Sequence, residues 1–178
     1  MGAGTMRADN PKLHVRSPRM REHRRSLGRP DALIKVLVSA SADLAPDSRF
    51  LDATDGGTRI LATVDSAPQE RIATLEASAE IWRVGSARVD LPELLQRLER
   101  RGVKRLLCEG GGELNWQLAQ ADLIDELNVT IAPRLLGGRE APTLLEGAGW
   151  SMASQRRLRL VDLRREQDEI YCCYAVER

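Results

Sequence analysis

Arg105-Leu-Leu-Cys-Glu-Gly-Gly-Gly-Glu-Leu-Asn-Trp-Gln-Leu-Ala119 sets the reading of this chain. Leu106, Leu107 and Cys108 form a short apolar run, which predicts a buried strand. The run ends at Glu109, and Gly110, Gly111 and Gly112 follow. Beyond them Leu114, Leu118 and Ala121 recur at spacings of four and three, the spacing of one helix face. A strand, a glycine turn and a helix make a candidate anion site. Glycines let the backbone approach a phosphate, and the first free N–H groups of the helix point at it. The same residues also suit a plain tight turn with no ligand. The pattern is neither the dinucleotide G-x-G-x-x-G nor a Walker loop, which needs Lys and then Ser or Thr after its last glycine.

Working outward, strand and helix signals alternate. Leu33 to Ser39 is an apolar run interrupted only by Lys35, the pattern of a strand buried on both faces. Ser39 and Ser41 stand at its end. In an open α/β sheet ligands bind beyond the carboxyl ends of strands, so these hydroxyls are candidates to face a cofactor. Turn chemistry ahead of Asp43 to Asp47 explains them equally well. Arg59 to Val64 reads as a second strand, Pro68 to Ala77 as a helix and Glu80 to Val84 as a third strand. Asp90 caps a helix whose Leu91, Leu94, Leu95 and Leu98 recur at i, i+3, i+4 and i+7, and Gly102 stops it. Further on, Leu127, Val129 and Ile131 alternate with polar residues, as in a strand with one core face. Leu158 to Leu163 and Ile170 to Val176 flank a polar turn and predict a closing antiparallel hairpin. The alternation implies an α/β fold with a mostly parallel sheet.

Size and composition narrow the function. The chain has 178 residues, which suits one domain, 1–178, with a sizeable core. A net charge of +1 gives no field towards nucleic acid or membrane, and 3% aromatics is too few for base-stacking platforms. The five arginines at 19, 21, 24, 25 and 29 read as a solvated loop or short surface helix, or else as a phosphate patch. Cys108, Cys172 and Cys173 lie in apolar runs without C-x-x-C spacing, which predicts reduced thiols and a cytoplasmic protein. With only His14 and His23, neither a histidine metal site nor a histidine triad is expected. No apolar run approaches the ~20 residues of a membrane span.

The block from Leu106 to Gly138 carries a more specific signal. Glu109-Gly-Gly-Gly112, Ile124-Asp-Glu-Leu127 and Ile131-Ala-Pro-Arg-Leu-Leu-Gly-Gly138 stand in one order. Together they resemble the reductase family of riboflavin biosynthesis, often the C-terminal half of a bifunctional deaminase-reductase. Gly2-Ala-Gly-Thr-Met-Arg-Ala-Asp-Asn-Pro-Lys-Leu-His-Val-Arg16 resembles the same family's earlier substrate and cofactor loop. The likeness covers most of the chain and is faint between Ser17 and Arg101. It implies a dihydrofolate-reductase-like fold and NADPH-dependent reduction of a ribosylamino-pyrimidine 5′-phosphate to its ribitylamino form. It also implies a homodimer with no nucleic-acid or membrane partner.

By the same resemblance Thr5 and Asp9 lie beside the cofactor, and Gly110, Gly111, Gly112, Glu113, Leu114 and Asn115 belong to the segment that holds its pyrophosphate. Leu13 and Arg16 match substrate contacts, Arg16 as a planar fork for the sugar phosphate. Glu109 is the catalytic candidate: a carboxylate at a strand end can bind substrate hydroxyls or deliver the proton that accompanies a hydride. It can also do no more than accept from the glycine N–H groups. Asp9 otherwise serves as a turn acid, Trp116 as core, and Asp125 and Glu126 as turn and strand-start residues. No deaminase motif is present, so deamination falls to another protein.

Two other readings share these residues. One is a dihydrofolate or other pterin reductase of the same fold. The other is a non-catalytic nucleotide-binding remnant. Aligned with the family, Met1 falls at the end of the second strand. The alignment therefore predicts either a start codon further upstream or a truncated gene, and poor expression and little turnover of the 178-residue form.

Overall fold

In the computed structural model, which describes residues 1–178, Arg59 to Thr63 is the innermost strand of the first half. This strand, β2, pairs in parallel with β1 (Lys35–Val38) on one side and β3 (Glu80–Arg83) on the other. Its register sets Leu37 beside Leu61 and Ala62 beside Trp82. Successive strand residues point to opposite faces. Leu61 joins a cluster with Met6, Leu37, Phe50, Ile72 and Leu75, while Ile60 and Ala62 are buried on the other face. Burial on both faces is why the run carries no polar alternation. Each fully buried leucine or isoleucine contributes about 1.5–3 kcal/mol.

Three helices follow from local chemistry. The first, α1 (Ala3–Asp9), turns Ala3 and Met6 into the core and ends at Asn10, which takes a left-handed φ of 41°. α3 (Gln69–Leu75) buries Ile72 and Leu75. α4 (Leu91–Arg100) starts where the Asp90 carboxylate accepts the Glu93 N–H at 2.9 Å and buries Leu91, Leu94 and Leu98. Between α1 and α3, α2 (Pro18–Ser26) has no buried residue. The arginine-rich stretch is therefore the surface helix that one reading anticipated. The loop expected over residues 2–16 is corrected: its first half is α1, because Ala3 and Met6 share one apolar helix face.

One strand was misread. The run expected as a strand, Leu106 to Cys108, is not one of the strands, and Leu106 and Leu107 are 47% and 72% exposed. An apolar run becomes a strand only where a neighbour supplies ladder partners. Just after the run, the Gly2 N–H donates to the Gly110 carbonyl at 2.9 Å. Gly2 also bridges in parallel to Val38 of β1.

Lys35 is a cation inside this half, with only 4% of its side chain exposed. Its ammonium meets the Asp55 carboxylate at 2.8 Å. Burial pushes the Asp55 carboxyl up, but the Lys35 hydrogen bond and charge and the Gly57 N–H together hold it below its ordinary value.

By internal contacts the chain divides into two compact units, Met1–Gly111 and Gly112–Arg178. The second contains α5 (Gly112–Gln120) and an antiparallel sheet in the order β4-β6-β5. Its strands are β4 (Glu126–Ile131), β5 (Leu158–Glu166) and β6 (Glu169–Val176). The expected hairpin is β5–β6, closed through Gln167 at φ 54°. The antiparallel part is larger than expected, because β4 joins the hairpin through β6. One face of this sheet is apolar, with the rows Leu127–Tyr174–Leu160 and Val129–Cys172–Leu163. Ile131, expected in the core, is 54% exposed at the strand end. All three cysteines are free. No helix is long and apolar enough to cross a membrane.

Candidate active site

The glycine turn ends the first unit, and α5 opens the second. In the first unit, Gly110 has φ 83°, a conformation open mainly to glycine, and the Gly110–Gly111 peptide is cis. The Gly2 N–H, at the start of α1, holds the Gly110 carbonyl. A Cβ on Gly111 would lie 2.7 Å from Thr5 Oγ1, so the Thr5 hydroxyl rests against the turn. Thr5 and Gly111, matched to the cofactor site by resemblance, are thus neighbours.

The second unit begins with Gly112 as the first residue of α5. Its opening N–H groups have no intrahelical acceptor, which suits a phosphate. Glu113 turns along the helix and accepts from Gln117 at 2.9 Å. Leu114 and Trp116 are buried, so Leu114 can offer a ligand only its backbone. The segment from Thr143 to Gly147 is fastened to this first turn. The Glu146 N–H donates to the Gly112 carbonyl at 3.1 Å, and Asn115 Nδ2 donates to the Leu144 carbonyl at 3.0 Å. Gly147, at φ 85°, lies so close to Trp116 that a Cβ would come 2.3 Å from its ring. Trp150 stands 4.8 Å from Trp116, centroid to centroid.

This packing changes the meaning of one glycine. A Cβ on Gly112 would meet Glu146 Cγ at 2.6 Å and the Thr143 carbonyl at 2.8 Å. The chain's own atoms, as well as any ligand, require glycine there. Glu146 and Thr143 had no signal in the sequence, because nothing local announces that they reach α5.

The other candidates are scattered in role. Asp9 is exposed in the last turn of α1, while the adjacent Asn10 accepts the Arg49 N–H at 2.8 Å. Leu13 packs against the first unit's core cluster. Arg16 is exposed, with no ion pair. Ser39 is buried at the end of β1, with its N–H donated to Ala62. Ser41 is exposed, and its hydroxyl accepts the Asp43 N–H at 3.4 Å, the turn chemistry anticipated as an alternative. Glu109 is exposed and makes no bond to the glycine N–H groups. Asp125 pairs with Arg178 at 2.7 Å and Glu126 opens β4.

Comparison with known proteins adds the family. The RibD C-terminal domain family matches residues 1–171. A 2,5-diamino-6-ribosylamino-4(3H)-pyrimidinone 5′-phosphate reductase of Methanothermobacter thermautotrophicus is 39% identical over 161 residues, 90% of this chain and 70% of that protein. The protein of the same name from Archaeoglobus fulgidus is 35% identical over 147 residues, 83% of this chain and 66% of its own length. The chain thus spans about two thirds of the curated relatives it matches. A pyrimidine reductase-like protein of Corynebacterium diphtheriae superposes with a TM-score of 0.85 at 24% identity, over 99% of this chain and 74% of that one, which fixes the fold as dihydrofolate-reductase-like. The glycine turn, the helix that follows it and these likenesses converge: the chain belongs to the RibD C-terminal domain family.

Proposed function

We propose that residues 1–178 act as one reductase domain of riboflavin biosynthesis. The reaction is reduction of the ribosylamino side chain of a pyrimidine 5′-phosphate to the ribitylamino form. The observation that carries this reading is the 39% identity, over 90% of the chain, to a reductase named for such a substrate.

A reductase of this family uses a nucleotide cofactor, and we assign NADPH. The residues present fit it. Gly110 and Gly111 offer a turn without side chains, and neutral N–H donors open α5. When bound, the cofactor supplies the hydride. The chain's own residues bind and orient. Gly111 to Asn115 hold the pyrophosphate through backbone N–H groups, with Thr5 and Asp9 beside the cofactor and Ser39 and Ser41 at the end of β1. Arg16, free of other partners, grips the sugar 5′-phosphate with its planar fork. Leu13 lines the substrate. Glu109 either accepts substrate hydroxyls as a carboxylate or, as the protonated acid, delivers the proton that accompanies the hydride. No covalent nucleophile is required. The reading carries with it a cytoplasmic homodimer.

The test is oxidation of NADPH followed at 340 nm with the purified chain. The ribosylamino-pyrimidine phosphate should be reduced, and dihydrofolate should not. Turnover of dihydrofolate alone would replace this reading with the pterin reductase.

A further inference from the structure

The Glu146 carboxylate is held in place yet given nothing to bind. Its backbone is fixed on both sides. The Leu144 carbonyl takes the Asn115 amide, the Glu146 N–H meets the Gly112 carbonyl, and Gly147 sits against the Trp116 ring. Its side-chain carbons lie where a side chain on residue 112 would be. The carboxylate itself makes no hydrogen bond or ion pair in the chain and is exposed to solvent. Glu113, the other acid of this turn, is occupied by Gln117.

We infer that Glu146 is a ligand-binding residue that accepts the hydroxyls of a ribose seated at the first turn of α5. This rests on the assignment of α5 to the cofactor. The chemistry selects the partner. A carboxylate is acceptor-only and repels phosphate, so what it meets must be a donor. The group next to a phosphate in either ligand of a reductase of this kind is a sugar. A vicinal diol presents two O–H donors, which one carboxylate accepts with its two oxygens. Because the backbone is pinned and the side chain braced against Gly112, the acceptor is positioned before the ligand arrives, which lowers the ordering cost of binding. The pairing also gives Gly112 a purpose: it makes room for the residue that reads the sugar.

The diol belongs either to the cofactor or to the substrate, and two measurements separate them. NADPH is titrated against wild type, Glu146→Gln and Glu146→Ala by fluorescence, and the pyrimidine phosphate KM is measured at saturating NADPH. The glutamine variant keeps the shape and the Gly112 bond but loses the charge. Thermal melting of the ligand-free variants should match wild type, since the carboxylate has no partner to lose. A cofactor diol predicts NADPH affinity lower by about tenfold in Glu146→Gln and more in Glu146→Ala, the size of a lost charge-assisted hydrogen bond. A substrate diol predicts the same change in KM with NADPH affinity unmoved. Unchanged values in both assays, or tighter NADPH binding in the glutamine variant, overturn the assignment; the second result would show that the carboxylate only repels. Gly111→Val separates this failure from a failure of the cofactor assignment. If wild type binds NADPH and Gly111→Val does not, while both Glu146 variants behave as wild type, only Glu146 is misassigned. If wild type binds no NADPH, the cofactor assignment falls and this inference with it.

Discussion

Thr5 occupies the flank of the glycine turn that a side chain on Gly111 would need: a Cβ there would lie 2.7 Å from Thr5 Oγ1. The two residues stand at opposite ends of the first unit's sequence, and the bond from Gly2 to Gly110 brings them together. Gly111→Val should therefore weaken NADPH binding at least tenfold, or ~1.4 kcal/mol, and lower stability. Thr5→Ala should restore part of the stability lost by Gly111→Ala, because it removes the colliding oxygen. Melting curves of the two single variants and the double variant check this; strict additivity would place the strain elsewhere.

Arg16 is exposed and has no partner in the chain. If it holds the substrate phosphate, Arg16→Ala should raise the substrate KM at least tenfold with little change in NADPH affinity, the mark of lost ground-state binding. Its truncation should leave stability within about 0.5 kcal/mol of wild type, as for a surface residue. Steady-state kinetics beside a cofactor titration decide the matter, and a parallel loss of NADPH affinity moves Arg16 to the cofactor.

The Lys35–Asp55 pair ties stability to acid pH. The Asp55 carboxyl is held below its ordinary value in the folded protein. Its contribution is therefore present above the unfolded value and fades as pH falls through the folded one. Asp55→Asn leaves the buried Lys35 ammonium without its anion. Asp55 is 24% exposed, so water offsets part of the loss, and the expected cost at neutral pH is about 1–3 kcal/mol. Denaturant titrations between pH 3 and pH 7 should show a smaller acid loss in the variant than in wild type. Parallel curves would mean that Asp55 contributes nothing to the acid limb.

Much of the fold was legible because its causes are local. The buried runs of β1 and β2, the Asp90 cap and leucine face of α4, and the polar turn between β5 and β6 are written within a few residues each. A cap, a helix period or a turn is decided by neighbours in sequence. The candidate site was legible only through the Glu109-Gly-Gly-Gly112 block and its likeness to a family.

Tertiary structure decided what depends on distant partners. Leu106 and Leu107 have the composition of a buried strand, but composition cannot supply a ladder, and they lie exposed. Residues 3 to 9 look like a glycine loop, yet burial of Ala3 and Met6 makes them a helix. Gly112 reads as room for a phosphate, and only the fold shows that Glu146 and the Thr143 carbonyl stand beside it. Side chains brought together from separate segments carry no mark of one another in the sequence, because the contact is set by packing of the whole second unit rather than by either segment alone.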